Sequence, residues 1–384
     1  MHILITAIID VKKAAPNRLH HFIKYLSKNH DITVICLNDS WKARQVDIES
    51  QYKDFHEIFS NINIRYITKK PISPIRQEIF SPLYIKNIKE LQREKFDIIF
   101  NYNTLISGYF LAKKLKVPMV YDIADDLPAM IGDSPQIPAY LRGIGKWIGK
   151  IMVNQSIHQA TCVCAISDVF RKDYSIPKDK FQIIPNGVDT SIFKKVESPI
   201  RKDLGIESDF ILGYVGVLRE WVDLTPVYLS LKKLDNTKLL IVGQEGLYKE
   251  NREKVKNLGI ESKVIFTGNI PYTDVPKYIA AMDVCLIPFK DNAISHNAVP
   301  LKLFEYMACE KPVISSELIG ISELVQNRVF YAATDEKWFI QIQQIQNLKP
   351  SKEFLEQNRQ FVIENYEWIQ NCVELEKIFN KVLN

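Results

Sequence analysis

The feature that most constrains this chain is a rhythm of short apolar, β-branched runs alternating with helix-length amphipathic stretches. Residues 3–9 form the first run, followed by 17–28, where Leu19, Phe22, Ile23 and Leu26 recur at helical spacing. Runs at 32–37, 62–67, 98–100 and 117–121 continue the strand series, with helices expected around 83–93 and 105–115. Such alternation demands helical crossovers between parallel strands and a sheet covered on both faces. The rhythm restarts at 210–215 and continues through 239–242, 264–266 and 284–288, with helices expected over 225–234, 248–258 and 274–281. Between the two series, Pro, Asn, Gly, Asp and Ser cluster over 186–198. The expected fold is therefore α/β, with two Rossmann-like, doubly wound domains. Residues 352–382 read as helical, with Phe361, Tyr366, Trp368, Ile369, Val373 and Ile378 as apolar positions.

Length agrees, since 384 residues suit two domains of about 150–200 residues each. A hydrophobic share of 46% and a charged share of 25% exclude disordered and fibrous classes. The six cysteines are scattered, and the one tight pair, Cys162 and Cys164, would alternate faces of a strand. With no second pair nearby, neither a zinc site nor a disulfide framework is expected, and the thiols read as reduced core residues. The N-terminal apolar run lacks a basic lead and a small-residue cleavage site, so it reads as a buried strand rather than a signal peptide. No apolar run reaches the roughly 18 residues of a membrane span. A cytoplasmic protein, soluble or peripheral on the inner membrane face, is expected. Residues 1–190 carry 26 Lys and Arg against 19 Asp and Glu, whereas the remainder carries 24 against 26, which matches the overall +5. A basic first half suits anionic lipid or phosphorylated substrates, or is simply a lysine-rich surface.

Open α/β sheets bind ligands at the carboxyl ends of their strands. The first such loop, 10–18, has no glycine, so the dinucleotide fingerprint is missing; no P-loop occurs either. Lys12, Lys13 and Arg18 in this loop are candidates to meet phosphate on the acceptor side. The loop at 121–128 holds Asp122, Asp125 and Asp126, which could accept a proton, orient a hydroxyl, bind a metal or simply cap a helix. A third element runs from Asn297 through Val299, Pro300, Leu301, Lys302 and Glu305, with Pro300 expected at the first helical position. Lys302 and Glu305 share a helical face, a cation for phosphate and a carboxylate for a ribose diol, or else an ordinary ion pair.

The stretch Pro300-x-Lys302-x-x-Glu305-Tyr306-Met307-Ala308-x-x-Lys311-Pro312-Val313 resembles the signature helix of retaining GT-B glycosyltransferases, especially family 4. Ile184-Pro185-Asn186-Gly187-Val188-Asp189 with Phe193 resembles that family's interdomain motif. Gly213-Tyr214-Val215-Gly216, Gly268 and Ala280-Ala281-Met282-Asp283-Val284 follow in the family's order. The resemblance implies two domains facing a cleft: an acceptor-side domain over 1–190, a nucleotide-sugar domain over 191–365, and a C-terminal helix, 366–384, returning to the first. It implies that Glu305 holds the donor ribose, that Val299 to Lys302 line the diphosphate site, and that Arg219 meets donor phosphate. Asp125 falls in the loop where many members carry a histidine followed by an aspartate, the histidine position being Ala124; Asp125 and Asp126 are the catalytic candidates. Asn297 stands eight before Glu305, where the family's first glutamate is usual.

The implied activity is transfer of a sugar, with retention, from a nucleoside-diphosphate sugar to a hydroxyl of a glycan or lipid-linked saccharide. Neither a metal nor another cofactor is required, and no nucleic-acid partner is expected. The missing first glutamate leaves a second expectation, a non-catalytic relative that binds nucleotide sugar and assists a partner. Finally, residues 140–152 are apolar with interspersed cations and Trp147, suiting an anionic membrane surface, although three glycines weaken them as a helix and a core-facing helix is the alternative.

Overall fold

The computed structural model describes residues 1–14, 16–38, 58–59, 62–86, 89–134 and 137–384. These form two compact units, one of Met1–Asn186 with Trp368–Asn384, the other of Gly187–Glu367.

The first unit holds a parallel sheet in the order β3-β2-β1-β4-β5-β6-β7. Its strands are β1 (His2–Ala7), β2 (Asp31–Cys36), β3 (Asn63–Tyr66), β4 (Ile98–Tyr102), β5 (Met119–Ile123), β6 (Cys162–Ala165) and β7 (Phe181–Ile183). The order reverses between β1 and β4, which makes the carboxyl ends of those strands the natural ligand position. Helix Arg18–Leu26 starts at Asn17, whose side chain accepts the Leu19 amide. It packs with helix Trp368–Leu383, where Phe22 meets Phe100 edge-on and Phe100 meets Phe379. His21 stacks on Trp368 at 4.7 Å, and burial pushes its imidazole well below the usual range.

Two local expectations need correction. The helix expected over 83–93 runs instead over Pro74–Lys86, followed by a 3-10 turn at Lys89–Gln92; residues 87 and 88 lie outside the described residues. Pro82 sits inside that helix, and the Glu78 carbonyl it leaves without an amide accepts the Ser81 hydroxyl at 2.8 Å. The helical tail is two helices, Lys352–Tyr366 and Trp368–Leu383. In the second, Trp368, Cys372, Leu375 and Phe379 face inward, whereas Ile369 is mostly exposed.

The second unit holds a parallel sheet in the order β10-β9-β8-β11-β12-β13. Its strands are β8 (Phe210–Val215), β9 (Thr237–Val242), β10 (Val264–Gly268), β11 (Val284–Ile287), β12 (Val313–Ser315) and β13 (Phe330–Tyr331). Here the order reverses between β8 and β11. Segments at the unit's two ends run side by side, with the Val188 amide donating to the Tyr366 carbonyl at 2.8 Å. All six cysteines are unbridged and buried.

Candidate functional site

In the second unit, the chain leaves β8, β9 and β10 through glycines of positive φ: Gly216 at 119°, Gly243 at 133° and Gly268 at 75°. Side chains are excluded there by space as well as by backbone. A Cβ on Gly243 would lie 2.6 Å from the Gly216 carbonyl oxygen, and the Gly243 amide donates to the Gly268 carbonyl at 3.0 Å. The strand ends thus leave bare backbone where a ligand can approach.

Helix Leu301–Ala308 delivers the side chains. Pro300 is its N-cap rather than its first helical residue, and no side chain caps the amides that follow. The helix is pinned to β8 by the Tyr306 hydroxyl, which accepts the Val215 amide at 2.8 Å. Phe304 stacks on Tyr366 behind it at 4.2 Å. Lys302 sits with its ammonium 3.9 Å from the centre of the Tyr214 ring, beside Gly216, where any Cβ would come within 3.1 Å of the Lys302 nitrogen.

The electrostatics of this pair are unusual for a surface helix. Burial pulls Lys302 down to about 7, with Glu305 opposing, and burial pushes Glu305 up to about 7, with Lys302 opposing. Among the described residues neither end group has a hydrogen bond or a direct ion pair to offset that desolvation. The arrangement can therefore accept an anion at Lys302 and hydroxyl donors at Glu305, each of which would stabilise the charged form.

The approach to the helix is also braced. A short helix, Ala293–Asn297, unforeseen from the sequence, starts at Asn292, whose side chain accepts the Ser295 amide at 2.9 Å; Asn292 was the available signal. Asn297 ends it and is buried, as is Val299. Gly320 packs so closely that a Cβ there would meet the His296 and Ala298 carbonyls at 2.8 and 3.0 Å. Arg219 lies exposed in the turn after Gly216, near enough to the Tyr214 phenol to oppose the upward push that burial gives it.

The first unit treats its candidates differently. Arg18 does not face a loop ligand: it is buried, with a two-pronged contact to Asp122, Nε to Oδ2 and Nη2 to Oδ1 at 2.8 Å each. Its Nη1 donates to the Pro185 carbonyl at 2.8 Å. Burial disfavours the guanidinium charge, but facing Asp122 more than restores it. Asp122 accordingly belongs to β5 and not to the acidic loop. Lys13 reaches Asp10 at 3.2 Å, and Lys12 is exposed. Asp126 caps helix Leu127–Asp133 by accepting the Ala129 amide at 3.1 Å and also accepts the Tyr174 hydroxyl at 3.3 Å. Asp125, in contrast, is exposed at the end of β5. The three aspartates are thus divided among an ion pair, a helix cap and the surface, and among the described residues no set of three or more His, Cys, Asp or Glu could hold a metal ion.

Two residues went unnoticed in the sequence. Asp10, buried after β1, accepts the Lys12 amide and the Tyr66 hydroxyl at 3.1 Å each. Glu78 is buried and accepts the Leu105, Ile106 and Ser107 amides at 3.1, 2.8 and 3.2 Å, filling the N-terminus of helix Ser107–Leu115. Burial pushes its carboxyl up, against those hydrogen bonds. The partners of Glu78, and Tyr66 at Asp10, are distant in sequence, so no spacing rule marks them.

With this geometry in place, similarity to known proteins is informative. The family model described as Glycosyltransferase Family 4 matches residues 15–192, and the one described as Glycosyl transferases group 1 matches 196–368. TuaH of Bacillus subtilis strain 168, a glycosyltransferase provisionally placed in teichuronic acid biosynthesis, is 26% identical over 219 residues, 55% of this chain and 53% of that one. The chain thus spans about half the length of that relative. The N-acetyl-alpha-D-glucosaminyl L-malate synthase of Bacillus anthracis is 24% identical over 286 residues, 71% of this chain and 70% of that one. Among solved structures, Anabaena HepE in complex with UDP superposes with a TM-score of 0.75 at 19% identity, covering 99% of this chain and 100% of that one. At that identity the likeness concerns the fold.

Proposed function

The chain is a family 4-like glycosyltransferase of the GT-B fold, and on that premise we propose that it moves a sugar, with retention, from a nucleoside-diphosphate sugar to a hydroxyl of a glycan or lipid-linked saccharide. What carries the proposal is the pair Lys302 and Glu305, desolvated and, among the described residues, without a hydrogen bond or direct ion pair at either end group, beside the bare backbone of Gly216. In the reaction the bond from the anomeric carbon to diphosphate breaks, and the nucleoside diphosphate leaves with the electron pair. The acceptor oxygen bonds to the same carbon and gives up its proton. Lys302, Arg219 and the uncapped amides after Pro300 would stabilise charge growing on the leaving diphosphate, which is where fixed dipoles and cations lower a barrier most. Glu305 would hold the ribose hydroxyls, with Asn297, Val299 and Leu301 shaping the pocket floor. No metal or other cofactor is required in this scheme.

On the first unit, Asp125 is exposed at the end of β5, and we assign it to orienting the acceptor hydroxyl. Asp126 is committed to its helix cap and to Tyr174, so its contribution is to hold that loop. HepE is named as a complex with UDP-glucose, which makes UDP-glucose the first donor to try. Purified protein incubated with a panel of nucleotide sugars and membrane lipid extract should release nucleoside diphosphate and yield a product one sugar heavier by mass spectrometry. Nucleotide binding without release across a broad acceptor panel would count against the transfer reaction.

A further inference from the structure

Two helices of the first unit are built inside out. In helix Ala139–Gln159, at about 100° per residue, Tyr140, Leu141, Ile144, Trp147, Ile148 and Ile151 fall on one arc about 120° wide. All six are exposed, Tyr140 at 80% and Trp147 at 64%. The buried positions, Gly149, Val153, Ser156 and Ile157, all lie off that arc. Of its glycines, Gly145 serves this packing, since a Cβ there would meet the Ile131 side chain at 2.9 Å. Of the two orientations expected from the sequence, the apolar side is exposed rather than core-facing.

Helix Pro74–Lys86 repeats the pattern. Its inward side chains are Ile85 and the polar Gln77, Glu78 and Ser81, the last three satisfied by hydrogen bonds. Its outward ones are Ile75, Ile79, Phe80 and Leu83, the last 62% exposed. Both helices pack against helix Ser107–Leu115. The right-handed crossovers from β3 to β4, β4 to β5 and β5 to β6 put all three on one side of the sheet. A soluble helix ordinarily turns its apolar stripe inward; here two neighbours turn theirs outward.

We propose that this face docks on an anionic lipid bilayer, with the two helices lying in the plane of the interface. Charge selects that occupant. Between Asp133 and Asp168 the chain has no acidic residue, and exposed Lys150 lies just beyond one edge of the apolar arc. Arg76 on the second helix and Lys113 and Lys116 at the end of the intervening one are exposed as well. Two copies of such a face would set like charges against each other, whereas a negatively charged headgroup layer answers them. Tyr140 and Trp147 carry rings suited to the boundary between headgroups and acyl chains. Among the described residues no helix is long and apolar enough to cross a membrane, so attachment by this face would be peripheral and reversible.

The test is co-sedimentation of the full chain with vesicles of phosphatidylcholine containing 30% phosphatidylglycerol, against phosphatidylcholine alone. Binding is expected to favour the anionic vesicles and to weaken as salt rises. Lys150→Gln and Arg76→Gln should each lower partitioning about fivefold, and Ile144→Glu with Trp147→Glu should lower it at least tenfold. Since the glutamate variant could misfold, Trp147→Phe in the otherwise unaltered chain supplies a second readout: quenching by lipids with brominated acyl chains should be lower than in the parent. The proposal is overturned by three results: no vesicle binding, equal quenching in parent and Trp147→Phe, or a concentration-dependent dimer in sedimentation velocity that Trp147→Glu dissolves.

Discussion

The two units place charged residues at the same end of similar sheets and treat them in opposite ways. In the first, each buried charge is answered by the protein. Arg18 grips Asp122, Asp10 takes Lys13 and Tyr66, and Glu78 takes three amides and the Ser107 hydroxyl. In the second, half-buried Lys302 and Glu305 are drawn toward neutrality by loss of water; among the described residues the ammonium meets aromatic rings, and neither end group gains a hydrogen bond or a direct ion pair. A buried charge that the chain satisfies is architecture. One that it leaves wanting, beside open backbone, is a place kept for something else.

The sharpest way to break this contrast is to remove Arg18. Arg18→Ala leaves the buried Asp122 carboxylate uncompensated and should cost about 3–5 kcal/mol in denaturant unfolding. Replacing both partners with apolar residues, Arg18→Met with Asp122→Leu, should recover most of that loss. A single-variant cost near zero would mean that the pair is no structural element. Lys302→Ala should do the reverse: transfer falls about 10²- to 10³-fold, while unfolding free energy stays level or rises. If the protein unfolds with the activity, the two units do not differ in the way described.

Glu78→Ala strips an acceptor from three amides and should destabilise by about 1–3 kcal/mol. Transfer per folded molecule should be unchanged, and Glu78→Gln should be milder. The smallest effect lies in pH. Glu305 titrates near 7 in the fold against an ordinary 4.5, so between those values the folded state keeps a proton that the unfolded state has lost, and stability falls as pH rises. Lys302 titrates near 7 against 10.5; above 7 the unfolded state keeps the extra proton, and stability rises with pH. The pair's contribution is therefore lowest around pH 7, and Lys302→Met with Glu305→Gln should flatten that dip in thermal melts. Binding of a nucleoside diphosphate at pH 8 should draw up to about one proton onto Lys302, read by calorimetry in buffers of differing ionisation enthalpy.

Much of this was legible in the sequence, for identifiable reasons. β8 is a buried run bounded by polar turns, and its limits at Phe210 and Val215 are those the pattern marks. The Lys302 and Glu305 pairing was legible because helical spacing alone sets it. What escaped depends on contacts remote in the chain. Arg18 looked like a loop cation because nothing near it reveals Asp122, more than a hundred residues on. The helix around Pro82 was displaced because the hydroxyl that rescues the lost bond belongs to Ser81 and is seen only in three dimensions. Helix Ala139–Gln159 was left open between two orientations for a different reason: periodicity finds an apolar face but does not say whether the protein or its surroundings receive it.

The return of Trp368–Leu383 to the first unit separates the order of synthesis from the order of completion. Phe22 and Phe100 emerge early, yet Trp368, which meets Phe22, and Phe379, which meets Phe100, emerge only after the entire second unit. At roughly 5–20 residues per second of translation, that interval is on the order of 10–40 s. For that time the first sheet carries an uncovered aromatic face, so a premature stop near residue 368 would damage the domain made first while leaving the later one able to fold.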